Sequence, residues 1–246
     1  MPPSRATPLY GALLERQFEI ALWIQVFKGA RDETPSPGGL WSKIKATVRE
    51  LEWFQALDVL EGVLVVAATF LEGRSPKLAY EARDAANRAF EKYLVGFRFV
   101  EGRLAPIDSE VDREAVQEAM EAARDFSGAQ RHLRLALERF ADRESPDYAN
   151  SVKESISAVE SVVKKVTGES TLGAGLKVLE RSGIAVHPAL ASAWAKIYGW
   201  TSDADGIRHA SVEAVETDQA MARYMLVCSS AFVSYLIDVG RRGGLL

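Results

Sequence analysis

The sequence predicts a mainly α fold, with an N-terminal helical region, one short β-hairpin near 97–107 and a helical bundle in the C-terminal half. Three observations predict it. Apolar residues recur at three- and four-residue steps along most of the 246 residues. Only Phe97–Ile107 alternates with the period of a strand. The last apolar segment has large side chains distributed around a helical circumference, as in a helix covered on every side by a bundle, by a second subunit or by both.

The elements follow in order. Leu9–Phe27 carries the first helical pattern, and Thr34–Gly39 breaks it with two prolines and two glycines. A long helical region is expected from Leu40 to about Leu71, and another from Pro76 to about Val95. In the hairpin, Phe97 and Phe99 alternate with Arg98 and Val100, Glu101-Gly102 form the turn, and Pro106 confines the second arm to an edge. Helix resumes near Ser109 and again after Gly128. A further helix has Ser145 as N-cap, Pro146 in its first turn and Gly168 as its stop. Leu172–Arg181 and Pro188–Tyr198 are shorter helices, and Thr217 caps a final helix ending near Val239. No internal repeat is visible, so the hairpin divides the chain into 1–107 and 108–246.

The helix after Pro146 has two opposed stripes at 100° per residue. Val152, Ile156, Val159, Val163 and Val166 form the apolar one; Asn150, Glu154, Ser157, Ser161 and Lys164 form the polar one. Valine is a poor helix former, so tertiary packing has to hold this helix.

Composition narrows the function classes. The net charge of −4 gives no global field that attracts nucleic acid, so any RNA contact is local. The single Cys228, in an apolar stretch, cannot form an internal disulfide and reads as a buried small hydrophobe. The N-terminal residues have no continuous apolar run of the kind a signal peptide needs. The most apolar stretches, Gly62–Leu71 and Tyr224–Ile237, fall short of the roughly 18–20 residues that cross a bilayer. A soluble, cytoplasmic protein without membrane association is expected.

Several chemistries lack their motifs: there is no glycine-rich phosphate loop, no H-E-x-x-H, no Cys/His cluster and no G-x-S-x-G. His132, His187 and His209 are too dispersed to suggest a metal site, and no cofactor is expected. His132 sits on an amphipathic helix and reads as structural. His187 precedes Pro188 and can cap that helix. His209 stands beside Arg208 in the polar loop Thr201–Val215, with Asp203 and Asp205 near enough in sequence to orient either side chain.

Around these residues the chain resembles a known family. Ser145–Gly168, Thr171–Ala210 and Met225–Ile237 are similar to AbiJ-type abortive-infection proteins, whose C-terminal half is a HEPN-like helical domain. Trp41–Val63 and Gly96–Asp108 resemble the region preceding that domain. Asn150–Ser161 and Thr201–Ala210 are the most specific segments. The resemblance implies a role in bacterial defence against phage. It further implies a HEPN-like bundle that pairs as a homodimer through the last helix and acts, as many such domains do, as a metal-independent endoribonuclease. His209 would be the acid/base and Arg208 the phosphate-binding residue, with Asn150, Glu154 and Asp205 as substrate contacts or supports. Active HEPN domains have Arg and His four to six residues apart, whereas Arg208 and His209 are adjacent. Arg181 and His187 match that spacing and form the alternative catalytic pair. The alternative function is a non-catalytic HEPN-like module that binds a nucleotide, RNA or a protein partner such as an antitoxin. Arg208 and His209 would there anchor the loop to Asp205, Glu154 or Glu160.

Overall fold

A computed structural model describes residues 6–36, 38–179, 181–184, 186–202, 217–244 and 246. The fold is mainly α, as the periodicity predicts, with one small two-stranded sheet among the described residues. The chain divides into two compact units, Met1–Val95 with Gly102–Leu104, and Gly96–Glu101 with Ala105–Leu246.

The first unit contains α1 (Ala6–Gln25), α2 (Gly39–Glu50), α3 (Trp53–Glu72) and α4 (Pro76–Lys92). Its core is small: Leu22, Trp23, Leu40, Ile44 and Val66. The long helix expected from Leu40 to Leu71 is broken, because Leu51 (φ −84, ψ 154) and Glu52 (φ −59, ψ 150) are extended. Neither proline nor glycine marks the break; the core explains it. A continuous rod would hold Ile44 and Val66 about 33 Å apart at 1.5 Å per residue, too far to share one core. The buried Glu19 carboxylate accepts from the backbone N–H of Gly38 at 3.3 Å and from Arg16 at 3.1 Å, which joins α1 to the start of α2. Ser75 caps α4 with Pro76 as its first residue.

The hairpin pairs β1 (Arg98–Val100) with β2 (Arg103–Ala105). Glu101 (φ 47) and Gly102 (φ 83) both take positive φ, the geometry of a tight hairpin turn whose twist matches its strands. Arg98, Phe99 and Val100 are all buried. Arg98 is accommodated because its guanidinium donates to the carbonyls of Phe97 (2.9 Å) and Asp108 (3.0 Å), near Glu110.

The second unit is a bundle of α5 (Glu110–Ala122), α6 (Ser127–Ala141), α7 (Tyr148–Thr167) and α10 (Gln219–Arg242), with α8 (Leu172–Val178) and α9 (Pro188–Ser202) packed beside it. Val152, Ile156, Val159 and Val163 of α7 are fully buried, as their stripe predicts, but Ser151 and Ser155 are buried too. Ser151 Oγ donates to the Ala136 carbonyl of α6 at 2.9 Å, and Ser155 Oγ donates to the Ser151 carbonyl at 2.8 Å. Small side chains with internal partners let α7 bury a wider face than valines alone would indicate.

Two caps differ from expectation by one or two residues. Asp147, not Ser145, caps α7 and accepts from Asn150 N–H at 3.1 Å; Asp142 instead holds the N–H groups of Glu144 and Ser145 in a turn. Asp218, not Thr217, caps α10 and accepts from Met221 N–H at 2.8 Å. In both places the carboxylate takes the role a neutral hydroxyl was expected to fill, and negative charge favours that end of a helix.

Within one chain, the described residues cover part of the last helix. Met225, Leu226, Phe232, Val233, Leu236 and Ile237 are buried, and Phe232 stacks on Trp194 of α9 at 4.3 Å between ring centroids. Met221, Tyr224 and Tyr235 of the same helix are exposed, and the Tyr235 ring lies 6.1 Å from that of Phe232. The two most apolar stretches also extend further than expected. They lie within α3 and α10, helices of 20 and 24 residues that are long and apolar enough, by length and composition, to cross a membrane. Core helices pass the same test, and half of the apolar window of α10 is buried.

Candidate functional site

Helices α6 and α7 run side by side, and a polar seam follows their contact. At one end Gly128 of α6 sits against Ser161 of α7, so closely that a Cβ there would meet Ser161 Oγ at 2.4 Å. Farther along, His132 Nδ1 and Glu154 Oε2 lie 2.6 Å apart, with the two side chains 32% and 21% exposed. Ser151 and the Ala136 carbonyl close the seam on the buried side. Part of the stripe expected to face solvent is therefore engaged by α6.

The His132–Glu154 pair has a defined chemical polarity. An ionised carboxylate only accepts hydrogen bonds, so the contact places a proton on Nδ1. The other ring nitrogen, Nε2, then carries the lone pair in the neutral imidazole. A carboxylate in this position fixes the orientation of the ring. The sequence shows both residues but not their pairing, because 22 positions separate them and only the antiparallel register of α6 and α7 brings them together.

Among the described residues, the other expected site residues are not gathered here. Arg208, His209 and Asp205 lie outside the described residues, as does Asp203. Asn150 is at the start of α7, exposed, with its side-chain amide donating to Asp147 at 2.7 Å; that contact supports the cap. Glu160 accepts from the backbone N–H of Leu172 at 3.2 Å and pairs with Lys164 at 3.3 Å, so its carboxylate anchors the start of α8. His187 caps α9 as its position before Pro188 suggests. Its Nδ1 accepts from Ala189 N–H at 3.2 Å and its carbonyl accepts from Leu190 N–H at 2.9 Å. Arg181 is exposed in the turn after α8. Cys228 is half-buried; burial pushes its thiol pKa up, which disfavours the nucleophilic thiolate.

A cavity of about 270 Å³ opens between α8 and α9, lined by Leu176, Leu179, Val186 and Ala191 with Lys177 and Ser192. Its lining is mostly apolar and contains no acid–base pair. Among the described residues, no three His, Cys, Asp or Glu side chains come together as a metal site requires.

Residues 18–122 match the family model of AbiJ N-terminal domain 4. The match supports an AbiJ-type family, and with it a setting in abortive infection and phage defence. It runs from within α1 to the end of α5, covers less than half of the chain, and includes Trp41–Val63 and Gly96–Asp108. The resembling C-terminal segments, including Asn150–Ser161 and Thr201–Ala210, lie beyond it. No curated protein and no solved structure matches the chain.

Proposed function

We propose that this chain is an abortive-infection effector that cleaves RNA without a metal ion, through a HEPN-like C-terminal unit. The observation that carries the reading is the AbiJ N-terminal domain 4 match over residues 18–122, followed in the chain by a helical bundle bearing an oriented imidazole. In the reaction the ribose 2′-oxygen bonds to phosphorus and the P–O5′ bond breaks. The 2′-hydroxyl proton goes to a base, and O5′ leaves with a proton from an acid. A histidine serves either role near neutral pH, and an arginine neutralises charge that develops on the phosphate.

In this reading Arg208 and His209 act on the phosphodiester and Asp205 supports them. Glu154, engaged with His132, orients a ring rather than contacting substrate, and Asn150 steadies the start of α7. Two chains pair through the exposed side of α10, where Met221, Tyr224 and Tyr235 offer apolar area. The test is purified full-length protein incubated with single-stranded and transfer RNA in the presence of a chelator. Cleavage is expected to leave 2′,3′-cyclic phosphate ends and to be lost in His209→Ala. An intact, folded protein that cuts none of these RNAs while a nucleotide, RNA or antitoxin copurifies supports the non-catalytic reading instead.

A further inference from the structure

We propose that the hollow between α8 and α9 is a binding site for a small aliphatic carboxylate, its chain held against the apolar lining and its head on Lys177. The site lies within the second unit and stands independently of the RNA-cleaving reading. Its volume of about 270 Å³ is far beyond the gaps of a packed interior, where few voids exceed a water molecule. Three of its lining side chains, Leu176, Leu179 and Val186, are at most 5% exposed, so its floor belongs to the core. The opposite wall is α9, where Pro188, Ala191, Ser192 and Ala195 share one face at helical spacing. Alanine at 191 and 195 leaves space that a leucine at either position would fill.

The chemistry of the lining narrows the occupant. Leucine, valine, proline and alanine favour hydrocarbon, and each methylene moved out of water onto them is stabilising. Two polar residues complete the lining. Lys177 stands in the last turn of α8 and is exposed. Neither its ammonium nor the Ser192 hydroxyl has a hydrogen bond or ion pair with another described residue. One uncompensated ammonium at the edge of an apolar hollow selects a single negative charge. A phosphate monoester, with more charge and three acceptor oxygens, calls for more donors than one ammonium and one hydroxyl supply. Size sets the chain length. A water molecule occupies about 30 Å³ of liquid and an aliphatic carbon a similar share, so the hollow has room for about nine non-hydrogen atoms. With its head at the rim, a carboxylate of about eight carbons fits.

The test is titration calorimetry of the full-length protein with sodium octanoate below its micelle concentration, beside butanoate, octanol and octylamine. Octanoate is expected to saturate a single site with a dissociation constant of about 10–100 μM. At about fourfold per methylene, butanoate should bind about 100-fold more weakly or worse. Octanol should bind more weakly than octanoate, and octylamine more weakly still. Lys177→Met, at an exposed position, should bring octanoate down to the affinity of octanol and leave octanol unchanged. Ala191→Leu and Ala195→Leu, each checked for native helicity, should bind neither. Octanoate that gives no saturable heat with the wild-type chain up to millimolar concentration overturns the proposal. Unchanged octanoate affinity in Lys177→Met, or in either folded leucine variant, overturns it too, because the ligand then sits elsewhere. Where neither leucine variant folds, Lys177→Met and the chain-length comparison decide. None of these readouts depends on cleavage of RNA, so failure here leaves the ribonuclease reading standing.

Discussion

Arg223 illustrates what one residue contributes to the second unit. Its guanidinium donates twice to Asp112, at 2.9 and 2.6 Å, and pairs with Asp108 at 2.6 Å, so α10 is bound to the segment that follows the hairpin. Its hydrogen bond and charge hold the Asp108 carboxyl below its ordinary value of 3.8. A carboxyl depressed in the folded state stabilises the fold above that ordinary value, and the contribution is lost as pH falls through the lower folded value. Arg223→Met should therefore cost about 1–2 kcal/mol at neutral pH, discounted for partial solvent exposure. The gap from wild type should narrow as both proteins are taken below the carboxylate range. Urea unfolding across that pH series measures it, and a gap that stays constant contradicts the assignment. Partnerships of this kind were illegible in the sequence, since Arg223 and Asp112 are 111 positions apart. The cap made by His187 was legible because its cause, the following proline, is local.

At the scale of elements, close approach between helices sets the strongest constraints. Gly175 of α8 faces α7, and a Cβ there would meet Val163 Cγ1 at 2.3 Å and Thr167 Oγ1 at 3.0 Å. Val163 is β-branched, fully buried and confined in rotamer, so it cannot swing aside. Gly175→Ala should destabilise the protein by about 1–3 kcal/mol through overpacking, despite alanine's better helix propensity. Thermal unfolding tests this, and a raised midpoint would show that α8 is free to move away. The valine stripe of α7 was legible because helical period and burial coincide. The break at Leu51–Glu52 was not, because it answers to a core assembled from α1, α2 and α3 rather than to any local breaker. The caps at Asp147 and Asp218 were blurred by neighbouring hydroxyl residues that satisfy the same sequence rule.

For the whole molecule, the mainly α architecture and the position of the hairpin were readable from the sequence, while the candidate site was readable only in pieces. Glu154 could be placed on a polar face, but His132 became its partner only through the register of two antiparallel helices. The same scale governs pairing of chains. Met221, Tyr224 and Tyr235 present an apolar side of α10, with Tyr224 56% exposed, and the proposed function uses that side for a homodimer. Tyr224→Glu with Tyr235→Glu should then convert a dimer into a monomer in sedimentation without loss of helicity. A wild-type protein that sediments as a monomer at every concentration contradicts the pairing.

The most direct measurement is the fate of a defined single-stranded RNA incubated with the purified full-length protein and excess chelator, its products resolved by mass. The account predicts fragments ending in 2′,3′-cyclic phosphate, absent when His209 is replaced by alanine. Intact RNA after prolonged incubation with folded protein, or fragments formed equally well by the His209→Ala variant, would contradict it.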